Sequence, residues 1–89
     1  MSLPVTLGDG TAAEALCFSN GQITVRAPGA FAPGQPMDFN VQLESGLSLK
    51  GRCGGSKRQA DGSFVVRARL VNLTRVARET LEAALPAAI

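Results

Sequence analysis

Histidine, tyrosine and tryptophan are all missing from the 89 residues. Without histidine the commonest general base is gone, and neither a Ser-His nor a Cys-His nucleophile can be assembled. No catalytic residue is assigned, and the chain is read as a non-enzyme. Cysteine is scarce as well: Cys17 and Cys53 stand far apart in the chain. Two such cysteines make no disulfide framework, and with no histidine near them they miss the spacing of a metal site. No metal and no tightly held cofactor is expected, and a reducing compartment fits best. No apolar run approaches the roughly 18 residues of a membrane-spanning helix. The amino terminus also lacks the basic-then-apolar pattern of a signal peptide. A cytoplasmic location without membrane insertion is expected. Met1-Ser2-Leu3 is compatible with a cloning remnant, in which case the natural chain begins further upstream.

Charge of one sign is in short supply too. A net charge of +2 names neither nucleic acid nor membrane as a partner, so only the arrangement of charges can do so. What is present is 45% apolar residue, with ten glycines and five prolines spread between short apolar runs. That composition fits one small domain over residues 1–89, built of strands and turns.

Alternation with a period of two marks the strands. Val5-Thr6-Leu7 runs into Gly8-Asp9-Gly10, a tight-turn signal. Ala12 to Phe18 returns, with the large apolar pair Leu16 and Phe18 expected on the buried face and Ala13, Ala15 and Cys17 on the other. After Ser19-Asn20-Gly21 come Ile23 and Val25, alternating with Gln22, Thr24 and Arg26. Pro28-Gly29 and Pro33-Gly34-Gln35-Pro36 bracket a loop around Phe31, because proline lacks the ladder donor of a central strand. Met37, Phe39, Val41 and Leu43 then alternate with polar residues up to the turn at Ser45-Gly46. Leu47, Leu49, Gly51 and Cys53 follow, and a long hairpin loop is expected from Gly54 to Gly62. Phe64, Val66, Ala68 and Leu70 close the series.

From Thr74 the period becomes helical: Val76, Ala77, Thr80, Leu81, Ala84 and Leu85 share a face. Thr74 or Asn72 caps the first turn, and Arg75 with Glu79 and Arg78 with Glu82 are spaced to pair. Pro86 ends the helix. Leu81, Leu85 and Ile89 could extend an apolar stripe to a partner, which leaves a homodimer open. Six short strands with open edges would invite aggregation, so closure is expected. The fold class is therefore all-β: a six-stranded antiparallel barrel over about residues 4–73, with a C-terminal α-helix over about 74–85 covering one mouth.

Two stretches carry chemistry of a binding kind. Gly51 to Arg58, "GRCGGSKR", brings glycines near a lysine, yet Ser56-Lys57 lies between strands and opens no helix, unlike a Walker loop. The hairpin reading is preferred. Lys50, Arg52, Lys57, Arg58, Arg67 and Arg69 all belong to one hairpin whose only acid is Asp61. Lys50 and Arg52 share an outward face, with Arg67 and Arg69 as expected cross-strand neighbours. This stripe could hold phosphates or an acidic partner, but a solvated wall whose like charges spread into water and are offset by Asp38 and Glu44 is the preferred reading. For Cys17 the bland reading, a small tolerated residue, is preferred to a reactive thiol.

The ordered set "LCFSNGQITVRAPGAFAPGQPMDFNVQL", "LSLKGRCGG" and "DGSFVVRARLVNLTRVARETLEAAL" resembles the PilZ domain, a bacterial six-stranded barrel with a C-terminal helix. The resemblance covers nearly the whole chain in pattern. It implies a receptor for cyclic di-GMP that uses an Arg-x-x-x-Arg motif before the first strand and an Asp/Asn-x-Ser-x-x-Gly motif between strands. Laid on this chain, the second motif falls on Cys17, Ser19 and Gln22, of which only the serine matches; Gly21 lies one residue before the position of the final glycine. The arginine motif has no counterpart, since the first basic residue is Arg26. A good bidentate arginine pair supplies roughly 1–3 kcal/mol. Losing two arginines and one acceptor then weakens binding about a thousandfold or more.

The expected function is a non-catalytic regulatory or protein-interaction module in cyclic di-GMP or type IV pilus signalling, with weak or no cyclic di-GMP binding. Another protein is the expected partner. A functional cyclic di-GMP receptor is the first alternative, using Ser19 and Asn20 with basic residues of the Lys50 to Arg69 hairpin. A small nucleic-acid-binding barrel is the second, disfavoured because single-strand binders stack bases on exposed aromatics. The four aromatics here are phenylalanines, and only Phe31 is placed where it could be exposed.

Overall fold

The structure, a computed structural model, describes residues 3–8, 10–42 and 46–86. Six strands precede one helix: β1 (Leu3–Leu7), β2 (Ala12–Ser19), β3 (Gln22–Ala27), β4 (Pro36–Val41), β5 (Leu47–Arg58), β6 (Phe64–Val71) and α1 (Arg75–Ala84). The strands form a closed antiparallel barrel in the order β1-β2-β3-β6-β5-β4, with β4 returning to β1. Closure gives each strand a neighbour on both sides, as so small a β-protein needs. Pro36 opens β4, where its missing N–H breaks no central ladder.

Inward residues of all six strands meet in one core with Phe39, Ile23 and Val66 fully enclosed. Among the described residues no buried side-chain polar atom lacks a partner. Alternation places Met37, Phe39 and Val41 inward along β4, as their spacing predicts. Phe31 does not stand out in its loop. It packs against the core, and its carbonyl accepts from Ser56 Oγ at 3.2 Å and from Cys53 Sγ at 3.5 Å.

Two departures from simple alternation reorganise the wall. In β2 the register shifts between Ala15 and Cys17. The expected faces are thereby corrected: Ala13 and Ala15 are buried, Leu16 is only half-buried, and Phe18 returns inward. An extra residue in a ladder reverses which side its neighbours face. In β5 the register shifts between Cys53 and Gly55, and the strand continues to Arg58. The expected loop from Gly54 to Gly62 is thus mostly strand. Its turn is confined to residues 59–63, where Asp61 Oδ1 accepts from both the N–H and the hydroxyl of Ser63.

After β6 the chain turns at Asn72, which holds a positive φ of 52°. Thr74 is the cap: its hydroxyl accepts from Ala77 N at 3.1 Å. The Arg75–Glu79 pair forms at 3.2 Å between exposed side chains. Ala77, Leu81 and Leu85 enter the core cluster, whereas Val76, expected on the same stripe, is 72% exposed. Phe18 N donates to Pro86 O at 3.0 Å, which ties the end of the helix to the end of β2. The helix therefore lies across the mouth where β2 and β6 finish and β3 begins. The expectations for Asp9, Leu43, Glu44, Ser45 and Ile89 fall outside the described residues. Among the described residues no helix is long and apolar enough to cross a membrane.

Candidate functional site

The outer wall over β2, β3, β6 and β5 is ordered in rows by the ladder register. Ser19 pairs with Gln22, Gln22 with Arg69, and Arg69 with Arg52. In the next row Cys17 pairs with Thr24, Thr24 with Arg67, and Arg67 with Gly55. A third row runs Glu14, Arg26, Val65 and Lys57. Adjacent strands lie about 4.8 Å apart, and alternate residues along a strand about 6.7 Å apart. The basic side chains thus form a grid on the wall.

The Ser19-Asn20-Gly21-Gln22 turn is a two-residue hairpin. Asn20 (φ 52°) and Gly21 (φ 76°) both hold the left-handed conformation that such a turn demands. Beneath it lies a concavity of about 410 Å³, lined by Leu16, Cys17, Ser19, Gln22, Thr24, Val65, Arg67 and Pro86. Cys17, Ser19 and Gln22 therefore meet in one place, joined by a single cation, Arg67. Asn20 is exposed at the tip of the turn and is not among the lining residues.

Arg67 also borders a second concavity of about 300 Å³, lined by Gly54, Gly55, Ser56, Lys57, Gln59, Val65 and Arg67. Gly55 holds φ at 144°, and a Cβ there would meet nothing within 4 Å. The bulge and the missing side chains make this hollow. Val65 and Arg67 are the ridge between the two depressions.

The remaining basic residues separate. Lys50 stands opposite Asp38 on one side and Val71 on the other. Arg52 donates to the Gly34 carbonyl at 3.3 Å. Arg58 pairs with Phe64 at the far end of the hairpin. The expected neighbour relation thus holds for Arg52 with Arg69. It is corrected for Lys50 and Arg67: in an antiparallel ladder that sets Arg52 opposite Arg69, Lys50 falls opposite Val71, and Arg67 falls opposite Gly55 just past the bulge. Asp61, fully exposed, has its carboxyl held below the usual 3.8 by the Ser63 hydroxyl and N–H, with Arg26 assisting.

No family model, curated protein or solved structure matches this chain. The site must be read from its own geometry. Among the described residues no group of three or more His, Cys, Asp or Glu side chains gathers to hold a metal ion. Sequence reasoning missed Leu16, Thr24, Val65 and Pro86 as lining residues, and the hollow at Gly54-Gly55. Adjacent glycines inside an alternating run were the available signal for that bulge.

Proposed function

We propose that this barrel is a non-catalytic PilZ-type regulatory module that acts by binding another protein, with weak or no affinity for cyclic di-GMP, in signalling tied to that nucleotide or to type IV pili. The observation that carries the reading is the pocket under the Ser19–Gln22 turn. It gathers the motif-equivalent residues Cys17, Ser19 and Gln22, yet offers one guanidinium, Arg67, where a dinucleotide with two phosphates and two guanines calls for several. The barrel closed by a C-terminal helix supports the family resemblance at the level of architecture.

Calorimetric titration with cyclic di-GMP tests the nucleotide part. No saturable heat at micromolar ligand is expected. Saturation in that range that Arg67→Ala removes would replace this reading with that of a working receptor.

A further inference from the structure

The outer face of β6 carries more positive charge than the fold needs. Val65, Arg67 and Arg69 point outward in succession, with Lys57 and Arg52 as their partners on β5. Arg67, Arg69 and Lys57 are exposed, and among the described residues no ion pair engages them. The acids on the adjoining rows stand elsewhere: Glu14 faces Arg26, and Asp38 faces Lys50. Arg52 and Arg69 oppose each other directly, an arrangement of like charges that costs stability, part of it relieved by the bond from Arg52 to the Gly34 carbonyl.

We propose that this face docks an extended acidic segment of a partner protein, laid along β6 with an apolar side chain over Val65 and carboxylates at the second and fourth positions after it, meeting Arg67 and then Arg69 with Arg52. The spacing carries the argument. Arginines two residues apart on a strand repeat at about 6.7 Å, and alternate side chains of an extended peptide repeat at the same distance. The hollow at Gly54 and Gly55 leaves room for the peptide beside Arg67. Arg67 and Arg69 follow one another along β6 at about 6.7 Å, which suits a chain of separated carboxylates better than a compact phosphate. Nucleic acid fits less well, because the face offers no aromatic ring for a base: Phe18 and Phe39 are buried, and Phe31 and Phe64 pack against the core.

This inference rests on the protein-binding reading above and names the chemistry of the partner. It is tested by fluorescence anisotropy with the whole chain and a labelled synthetic peptide, a leucine followed by glutamate at every second position. A second peptide of the same composition has its glutamates adjacent. The alternating peptide is expected to bind more tightly, and to weaken as salt rises toward about 1 M, where screening acts over about 3 Å. Arg67→Ala and Arg69→Ala are each expected to lower affinity about three- to fivefold, as exposed charge pairs do. Both residues are exposed, so unchanged circular dichroism and melting cooperativity are the controls for folding. Equal binding of the two peptides would overturn the register, and no binding would overturn the docking surface. Tighter binding of a single-stranded oligonucleotide through the same arginines would replace the peptide with nucleic acid. The cyclic di-GMP titration remains separate: saturable heat that Arg67→Ala removes replaces the reading above with a working receptor, while a silent titration with a failed peptide sinks only this inference.

Discussion

Arg52 stands directly opposite Arg69 across the β5–β6 ladder, on the outer wall of the barrel. Side chains at such positions have Cβ atoms about 4.5–5.5 Å apart, and like charges there repel. The Arg52 guanidinium is drawn toward the Gly34 carbonyl, at 3.3 Å, which relieves part of that repulsion. Arg69→Glu replaces repulsion with an attractive cross-strand pair. We expect the isolated protein to gain about 0.5–1 kcal/mol by urea denaturation at low salt, with the gain fading at high salt. The same substitution weakens acidic-peptide binding, so stability and docking move in opposite directions. A loss of stability at low salt would show that the repulsion is already dissipated in solvent.

Gly51 lies inside the barrel wall, between Met37 of β4 and Leu70 of β6. A Cβ at this position would come within 2.6 Å of the Arg69 carbonyl oxygen and 3.3 Å of Leu70 Cα. Those are backbone atoms held in a ladder, so no side chain can swing aside. Gly51→Ala is expected to lower stability by about 1–3 kcal/mol, the usual range for overpacking. Gly29→Ala is the comparison, because a Cβ at Gly29 meets nothing within 4 Å. Equal unfolding midpoints for the two variants would refute the steric account.

The sequence was most legible where one rule governed it. The alternation of Met37, Phe39 and Val41 placed β4 correctly, and the Asn20-Gly21 pair marked its hairpin because only left-handed residues fit that turn. It was least legible where a single inserted residue changed the phase. Leu16 is larger and more apolar than Ala15, yet Ala15 is the buried one, because the bulge that follows sets the facing. Such a shift is decided by closure of the barrel, which no local window contains. The same holds for the concavity: Cys17, Ser19 and Gln22 were singled out by the motif that the family resemblance lays on their turn, whereas Val65, Arg67 and Pro86 reach the same hollow only through the β3–β6 pairing and the returning end of the helix.

Asp61 anchors the β5–β6 turn by accepting from Ser63 Oγ at 2.6 Å and from Ser63 N at 3.0 Å. These bonds favour the ionised carboxylate, so its folded pKa lies below the 3.8 of the free group. The stabilisation is therefore nearly complete above about pH 5 and is lost as the pH falls through the folded value. Carboxyl-carbon NMR titration should give a midpoint below 3.8, and Ser63→Ala should move it upward. A midpoint that ignores Ser63→Ala would leave the turn's hydrogen bonds without that role.

The two thiols differ in access. Cys17 is half-buried on the rim of the pocket beneath the Ser19–Gln22 turn, with Thr24 opposite. Cys53 is 3% exposed, donates to Phe31 O at 3.5 Å and accepts from Gly55 N at 3.3 Å. A thiol reagent reaches Cys17 from solvent, but it reaches Cys53 only when β5 and the Phe31 loop separate. Labelling is expected to occur in two phases: a first equivalent assigned to Cys17 by peptide mapping, and a second whose rate rises with added urea as opening becomes easier. Occupying the pocket should slow the first phase alone. If the acidic peptide lies along β6 as proposed, it borders that pocket through Val65 and Arg67, so the Cys17 rate reports docking without a label on the partner. Protection of Cys53 without protection of Cys17 would mean that binding tightens the barrel from some other face.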